Sequence, residues 1–212
     1  MSNIESIRQH TLVALEYVGT AAFAVSGVWG AIRKRMDIVG ICVCGFLAAF
    51  GGGTLRDVLI DRRPFFWVEH QEVLLGILLL CVACATFFKQ HHLESSEKLL
   101  SIPDALGLGL FCTTGLHLSW SMGQPPAVAI MMGVITGTFG GVLRDIVCNE
   151  IPTVFRDQRP YAVCAFVGGW ACLGLDQAGW PEWAVILMTL TLTAGLRMLS
   201  VFRGWRLPGP QA

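Results

Sequence analysis

The amino-acid sequence predicts an all-α polytopic membrane protein: seven transmembrane helices, built as two inverted three-helix repeats plus a C-terminal seventh helix. Three observations carry this. Of 212 residues, 54% are hydrophobic and only 14% charged, and the mean hydropathy is +0.60. A soluble domain carries about 25% charged residues, so lipid must face most of this surface. Apolar runs recur at span length along the whole chain, and the chain repeats itself at an offset of 88 residues.

A span needs about 20 apolar residues, fewer if tilted. Thr11 to Ile32 qualifies with one charge, Glu16. The preceding MSNIESIRQH has mixed charge and no small-residue cleavage site, so this first span is expected to be retained rather than removed as a signal peptide. Ile38 to Leu55 runs into three glycines, with Val58 to Ile60 beyond an Arg-Asp pair. Val73 to Phe88 is uncharged. Ala105 to Leu143 is too long for one helix and divides at Met122-Gly123-Gln124-Pro125-Pro126, where the prolines end one helix and start the next. Tyr161 to Leu175 and Trp183 to Leu199 complete the set.

The repeat is densest at a glycine-interrupted stretch. Gly45, Gly52, Gly53, Leu55, Arg56, Asp57 and Pro64 find identical residues 88 positions on, in Gly133, Gly140, Gly141, Leu143, Arg144, Asp145 and Pro152. Gly19, Phe23 and Gly27 map onto Gly107, Phe111 and Gly115, and Glu16 onto Asp104. Each repeat thus holds three spans, residues 11–90 and 98–176, and the seventh helix covers 183–202. An odd number of spans turns the second copy upside-down, and paired glycine-interrupted segments in such halves point to a transport site.

Charge sets the orientation. With the N-terminus outside, the cytoplasmic face receives Arg33, Lys34, Arg35, Lys89, Lys98, Arg156, Arg159, Arg203 and Arg206, and the outer face only Arg8, Arg62 and Arg63. Trp67, Trp120, Trp180 and Trp183 fall near span ends, where interfacial anchors belong. Globally, 15 basic and 15 acidic residues cancel, so nothing points to nucleic acid. Cys81 and Cys84 form a C-x-x-C with no second pair at zinc spacing. All eight cysteines are expected to be small buried thiols, with no metal site and no disulfide framework. His91 and His92 are expected in a solvated loop, and His117 as a satisfied core histidine.

Glycine spacing of four (Gly45, Ala49, Gly53; Gly133, Gly137, Gly141) suits close helix packing. Three adjacent glycines, Gly51, Gly52 and Gly53, present every face and weaken a helix, so a local break is expected there. Such a break frees a half-helix N-terminus that favours an anionic group. Thr54 to Asp57 also reads as a capping box. Arg56 and Arg144 lie within spans, where arginine pairs with an acid or lines a polar path. Lining a polar path is the leading role and pairing with Asp57 or Asp145 in the other half the alternative, and the two can coexist. Glu16 and Asp104 read equally as solvated interfacial carboxylates or as pathway residues.

These motifs resemble the trimeric intracellular cation channel (TRIC) family, and within it the bacterial membrane-protein branch that includes proposed glycine transporters. The resemblance rests on an acidic residue ahead of the first glycines, then GGG-x-x-R-D with a downstream Pro-x-x-Trp, repeated as P-D-A-L-G-L and F-G-G-x-x-R-D, over roughly Thr11 to Val201. It implies a seven-helix protomer, a homotrimer, and a permeation path inside each protomer. Two departures bear on pore shape: Glu16 stands where Asp is commoner, and Phe139-Gly140-Gly141 is one glycine short.

No nucleophile-elbow, zincin, Walker or dinucleotide pattern is present, so neither an enzyme, a cofactor nor an ATP-driven pump is expected. The expected role is passage of a small polar solute across a bacterial inner membrane. The candidate path comprises Glu16, Gly51, Gly52, Gly53, Arg56, Asp57, Asp104, Gly140, Gly141, Arg144 and Asp145. Arginines are electrostatically wrong for a cation, yet each sits beside an acid, which suits a zwitterion. Glycine uptake is therefore the leading expectation, and a monovalent cation (potassium) channel the alternative.

Overall fold

The computed structural model describes residues 2–87, 97–156 and 159–207, with side chains at 10–87, 101–155 and 159–207. His91, His92 and Lys89 lie outside the described residues. The described chain is all α-helix: α1 (Ser2–Arg33), α2 (Ile38–Leu59), α3 (Phe66–Glu69), α4 (Gln71–Phe87), α5 (Glu97–Ser121), α6 (Pro126–Val147), α7 (Thr153–Arg156), α8 (Ala162–Gln177) and α9 (Glu182–Arg203).

Local chemistry sets the ends. The Asp37 carboxylate accepts from the Gly40 amide at 2.8 Å and caps α2. Pro126 starts α6 at the position where a missing amide hydrogen costs nothing. Gly204, left-handed at φ 64°, closes α9. Segments His10–Arg33, Ile38–Leu59, Pro126–Val147 and Glu182–Arg203 are long and apolar enough to cross a membrane, while α4 and α8 are shorter apolar helices. α5 starts well before the expected Ala105 and holds Pro103 within it. The proline sits only six residues after the helix start, so the lost bond falls near an end.

The expected break is absent. α2 is helical through Gly51, Gly52 and Gly53, and α6 through Gly140 and Gly141. The glycines provide clearance instead. A Cβ on Gly52 would strike the Thr136 carbonyl oxygen, and one on Gly140 the Ala48 carbonyl oxygen. Cys44 meets Cys148 at 3.8 Å, so contacts run in opposite order along α2 and α6 and the two helices are antiparallel. Each glycine gives up about 1 kcal/mol of helix propensity, offset by backbone-to-backbone approach.

These contacts are reciprocal. Ala48 and Thr136 occupy equivalent places in the two repeats, as do Gly52 and Gly140. Phe23 and Phe111, another equivalent pair, stack on each other with centroids 5.4 Å apart. Gly19 faces Phe111 and Gly107 faces Phe23. Backbone detail follows the same offset: α2 and α6 start and end on equivalent residues, and positive φ recurs at Arg35 and Gly123 and at Asp61 and Asn149. A local two-fold therefore relates α1–α2 to α5–α6. Helix α9, packed on α5 and α8, has no counterpart in the first half among the described residues.

Candidate functional site: two buried arginine–carboxylate clusters

Because α2 and α6 carry Arg-Asp near their last turns, the two-fold yields two clusters. In the first, Arg56 Nε donates to Asp57 Oδ1 at 2.9 Å, and Nη1 donates to Glu16 Oε1. Nη2 approaches the same Oδ1 at 2.8 Å, but off the hydrogen-bond direction, so it has no hydrogen-bond partner. Arg56 and Asp57 are both 0% exposed and Glu16 5%. Arg62 stands 3.7 Å from Asp57 and 3.8 Å from Glu69, at the rim.

In the second cluster, Arg144 Nε donates to Asp145 Oδ1 at 2.8 Å, and Nη1 donates to Asp104 Oδ1 at 2.6 Å and to Ser26 Oγ. Arg144, Asp145 and Asp104 are buried. The long-range partner lies 40 residues upstream of the arginine in both halves. Glu16 and Asp104 are therefore buried ion-pair partners rather than solvated interfacial groups.

Three expectations need correction. The arginines pair with carboxylates of their own half, Arg56 with Asp57 and Glu16 of α1, and Arg144 with Asp145 and Asp104 of α5. Thr54 does not cap: it lies mid-helix and its hydroxyl donates to Phe50 O at 2.8 Å, so no capping box forms with Asp57. No half-helix N-terminus is exposed at the glycines, since the helical ladder is unbroken. Of the expected interfacial tryptophans, Trp180 and Trp183 are exposed at helix ends, whereas Trp67 turns inward and its Nε1 donates to Thr54 Oγ1 at 3.2 Å.

Two recesses reach the clusters. One, a narrow slot with a cavity volume of about 10 Å³, is walled by Glu16, Thr20, Gly53, Arg56, Phe66 and Trp67. The other, about 20 Å³, is walled by Gly30, Lys34, Arg144, Asp145, Cys148 and Glu150. The Gly52–Thr136 and Gly140–Ala48 contacts lie between the clusters. Since Cys148 lies opposite Cys44 and Gly140 opposite Ala48, Arg144 sits about ten residues along α2 from Arg56, roughly 15 Å at 1.5 Å per residue. The candidate residues therefore gather at two stations, not one. Gly51, Gly52 and Gly140 belong to the crossing, while Gly53 and Gly141 touch the arginine clusters.

Four contributors were not anticipated. Ser26 is a partner of Arg144, and Thr153 binds Asp145 through its amide and hydroxyl, both 2.8 Å from Oδ2. Arg197, in α9, is 3% exposed, stacks 4.5 Å over the Tyr161 ring and donates to Pro160 O. An arginine inside a 22-residue apolar helix is signal enough to have found it. Tyr161 in turn lies beside Gly141. All eight cysteines are free; Cys81 is buried, Cys84 half-buried, and His117 lies 3.5 Å from Cys172 Sγ.

Comparison with known proteins identifies the family of the chain and its fold. Residues 13–90 and 101–177 match the family model described as glycine transporter. The UPF0126 inner membrane protein YadS of Escherichia coli K12 is 37% identical over 155 residues, 73% of this chain and 74% of that protein. UPF0126 membrane protein YvgT of Bacillus subtilis is 32% identical over 194 residues, 92% and 94% of the two chains. The solved structure of the TRIC trimeric intracellular cation channel orthologue from Rhodobacter sphaeroides superposes with a TM-score of 0.85 at 35% identity, covering 92% of this chain and 99% of that one. A second TRIC cation channel structure gives 0.83 at 30% identity, covering 94% and 97%.

Proposed function

The chain belongs to the TRIC and UPF0126 family of membrane transport proteins, and from that premise we propose that it conducts small monovalent cations, potassium foremost, along a path inside the protomer. The observation that carries this reading is the stoichiometry of each cluster. Two carboxylates face each buried guanidinium, and at the first station the rim Arg62, 3.7 Å from Asp57, is offset by Glu69 at 3.8 Å, leaving one net negative charge at each station. The electrostatic objection to a cation path rested on the arginines alone, and their pairing removes it. At an effective dielectric of about 20, one unit charge at 4 Å is worth about 4 kcal/mol, enough to offset part of the hydration a cation sheds.

In this reading each arginine is a gate. It occupies the carboxylates at rest and yields them to a passing ion. The recesses lead to the two stations, and the α2–α6 crossing separates them. The reciprocal contacts support an inverted-topology, seven-span protomer with its two-fold in the membrane plane. The Lys34–Glu150 ion pair at 2.6 Å joins the loop after α1 to the loop after α6, and the basic run Arg33-Lys34-Arg35 makes that side the cytoplasmic one, with the N-terminus outside. A bacterial inner-membrane location and a homotrimer follow by analogy with the YadS protein and the TRIC structures.

Glycine uptake is the second reading, favoured by the family model's description and by one local fact. Arg56 Nη2 and Thr20 Oγ1 are buried without hydrogen-bond partners beside Glu16, donors for a carboxylate next to an acceptor for an ammonium. Liposomes containing only this protein decide between the two. Potassium flux above protein-free vesicles, with no radiolabelled glycine accumulation, is the expected result; glycine uptake without potassium flux overturns it.

A further inference from the structure

The two clusters are equivalent in every residue of the Arg-Asp pair but differ in what holds the second carboxylate oxygen. Asp145 Oδ2 accepts from both the amide and the hydroxyl of Thr153, the first residue of α7, at 2.8 Å each. Asp145 thus ties Arg144 with one oxygen and α7 with the other. At the equivalent position in the first half stands Phe65, which has no side-chain donor, and Asp57 Oδ2 is buried with no hydrogen-bond partner. Helix α3 is fastened elsewhere, through Trp67 Nε1 to Thr54 Oγ1 and through Tyr17 OH, which lies 3.0 Å from His70 Nδ1.

We infer that Thr153 is a positioning residue that latches the Arg144 station shut, and that the Arg56 station, lacking this latch, rearranges more readily. The inference rests on the two-gate reading of the path. The two bonds from Thr153 hold Asp145 with Oδ1 aimed at Arg144, and an opening that turns the carboxylate away breaks both of them. Asp57 makes no direct bond to α3 and reaches it only through the looser contacts of Arg62, 3.7 Å from Asp57 and 3.8 Å from Glu69. The second station is then the slower gate, and Thr153 sets its rate through Asp145 without touching the solute.

The test uses a graded pair at 153 and a matched pair at 65. Thr153→Val removes the hydroxyl bond, and Thr153→Pro removes the amide bond as well, at a helix-start position that accepts proline. The direct readout is alkylation of Cys148, which walls the Arg144 recess, followed by peptide-resolved mass spectrometry in the otherwise unchanged chain. Each lost bond to the charged oxygen should raise the Cys148 labelling rate about tenfold, the scale on which one such bond biases a two-state equilibrium. Solute flux should rise with it. Phe65→Thr, compared with the hydroxyl-free isostere Phe65→Val, should lower flux by supplying the missing donor, with Cys148 labelling unchanged. Wild-type labelling in Thr153→Pro, or in Thr153→Val should the proline variant not fold, overturns the latch. Equal flux in the two Phe65 variants overturns the vacancy at Asp57. Cys148 labelling is independent of which solute crosses, so a wild-type protein that passes no potassium refutes the cation reading and leaves the latch to be judged by labelling alone.

Discussion

Replacing the three adjacent glycines of α2 one at a time by alanine separates packing from backbone freedom. If the triplet supplied a hinge, each alanine would stiffen it comparably. The structure assigns them unequal neighbours. At Gly52 the new Cβ would overlap the Thr136 carbonyl oxygen, a backbone atom that cannot rotate away. At Gly51 it meets only Leu143 Cδ1, the far end of a flexible side chain, and at Gly53 only Arg56 Nη2, 3.9 Å away. Alanine in a helix interior gains about 1 kcal/mol over glycine. Gly53→Ala should keep that gain, raising the melting temperature by about 2–4 °C for a chain of this size. Gly52→Ala must push α2 from α6 by about 1 Å, forfeiting a quarter to a half of the dispersion at each facing contact. Overpacking of this kind costs about 1–3 kcal/mol, so the net change is a loss of up to about 2 kcal/mol, a fall of roughly 4–8 °C at the same scale. Gly51→Ala should fall between. Thermal unfolding in detergent, followed by tryptophan fluorescence, measures all three. Equal losses at Gly52 and Gly53 would falsify the packing account and restore the hinge.

Other outcomes follow from the same geometry. Gly140→Ala should match Gly52→Ala in thermal stability, since the Ala48 carbonyl faces it reciprocally; a neutral Gly140→Ala breaks the two-fold. Glu16→Gln should reduce potassium flux at least tenfold, because one charge near 4 Å is worth about 4 kcal/mol before screening, and an unchanged flux removes Glu16 from the path. Arg56→Gln leaves Glu16 and Asp57 buried without their cation, a disruption of about 3–5 kcal/mol; adding Glu16→Gln should recover part of the lost melting temperature, and strict additivity of the two changes argues against the pair. With single cysteines placed at Lys34 and at Glu150, an impermeant thiol reagent should reach both from the same side of the membrane. Labelling from opposite sides contradicts their ion pair.

Much of this was legible in the sequence because it is carried by spacing. The offset of 88 residues, the ends of α2 and α6, and the placement of Arg-Asp near the C-terminal end of each glycine helix all depend on positions along one chain. What was misread depends on partners far away in sequence. A glycine run has the same appearance whether it unwinds or makes room, and only the Thr136 carbonyl, 84 residues from Gly52, distinguishes them. The choice between Glu16 and a cross-half acid as partner of Arg56 turns on how α1 lies against α2. Helices α3 and α7, four residues each, are too short to leave any periodicity. Thr153 is invisible until α7 folds back on Asp145.

The reciprocal contact at the α2–α6 crossing bears on how such a chain can change over generations. In a dimer of two identical half-length chains, Gly52 and Gly140 would be one encoded residue, and any replacement would strike the interface twice. Ala48 and Thr136 would likewise be one residue, as would Phe65 and Thr153. Fusion into a single chain breaks that constraint, because each copy can vary while its twin keeps the fit. The glycines at the crossing are alike in the two halves, and each meets a carbonyl. Away from it, Phe65 packs between Arg63 and Trp67 on one side and Thr153 fastens a carboxylate on the other. A duplicated gene can in this way give the two ends of one passage separate temperaments.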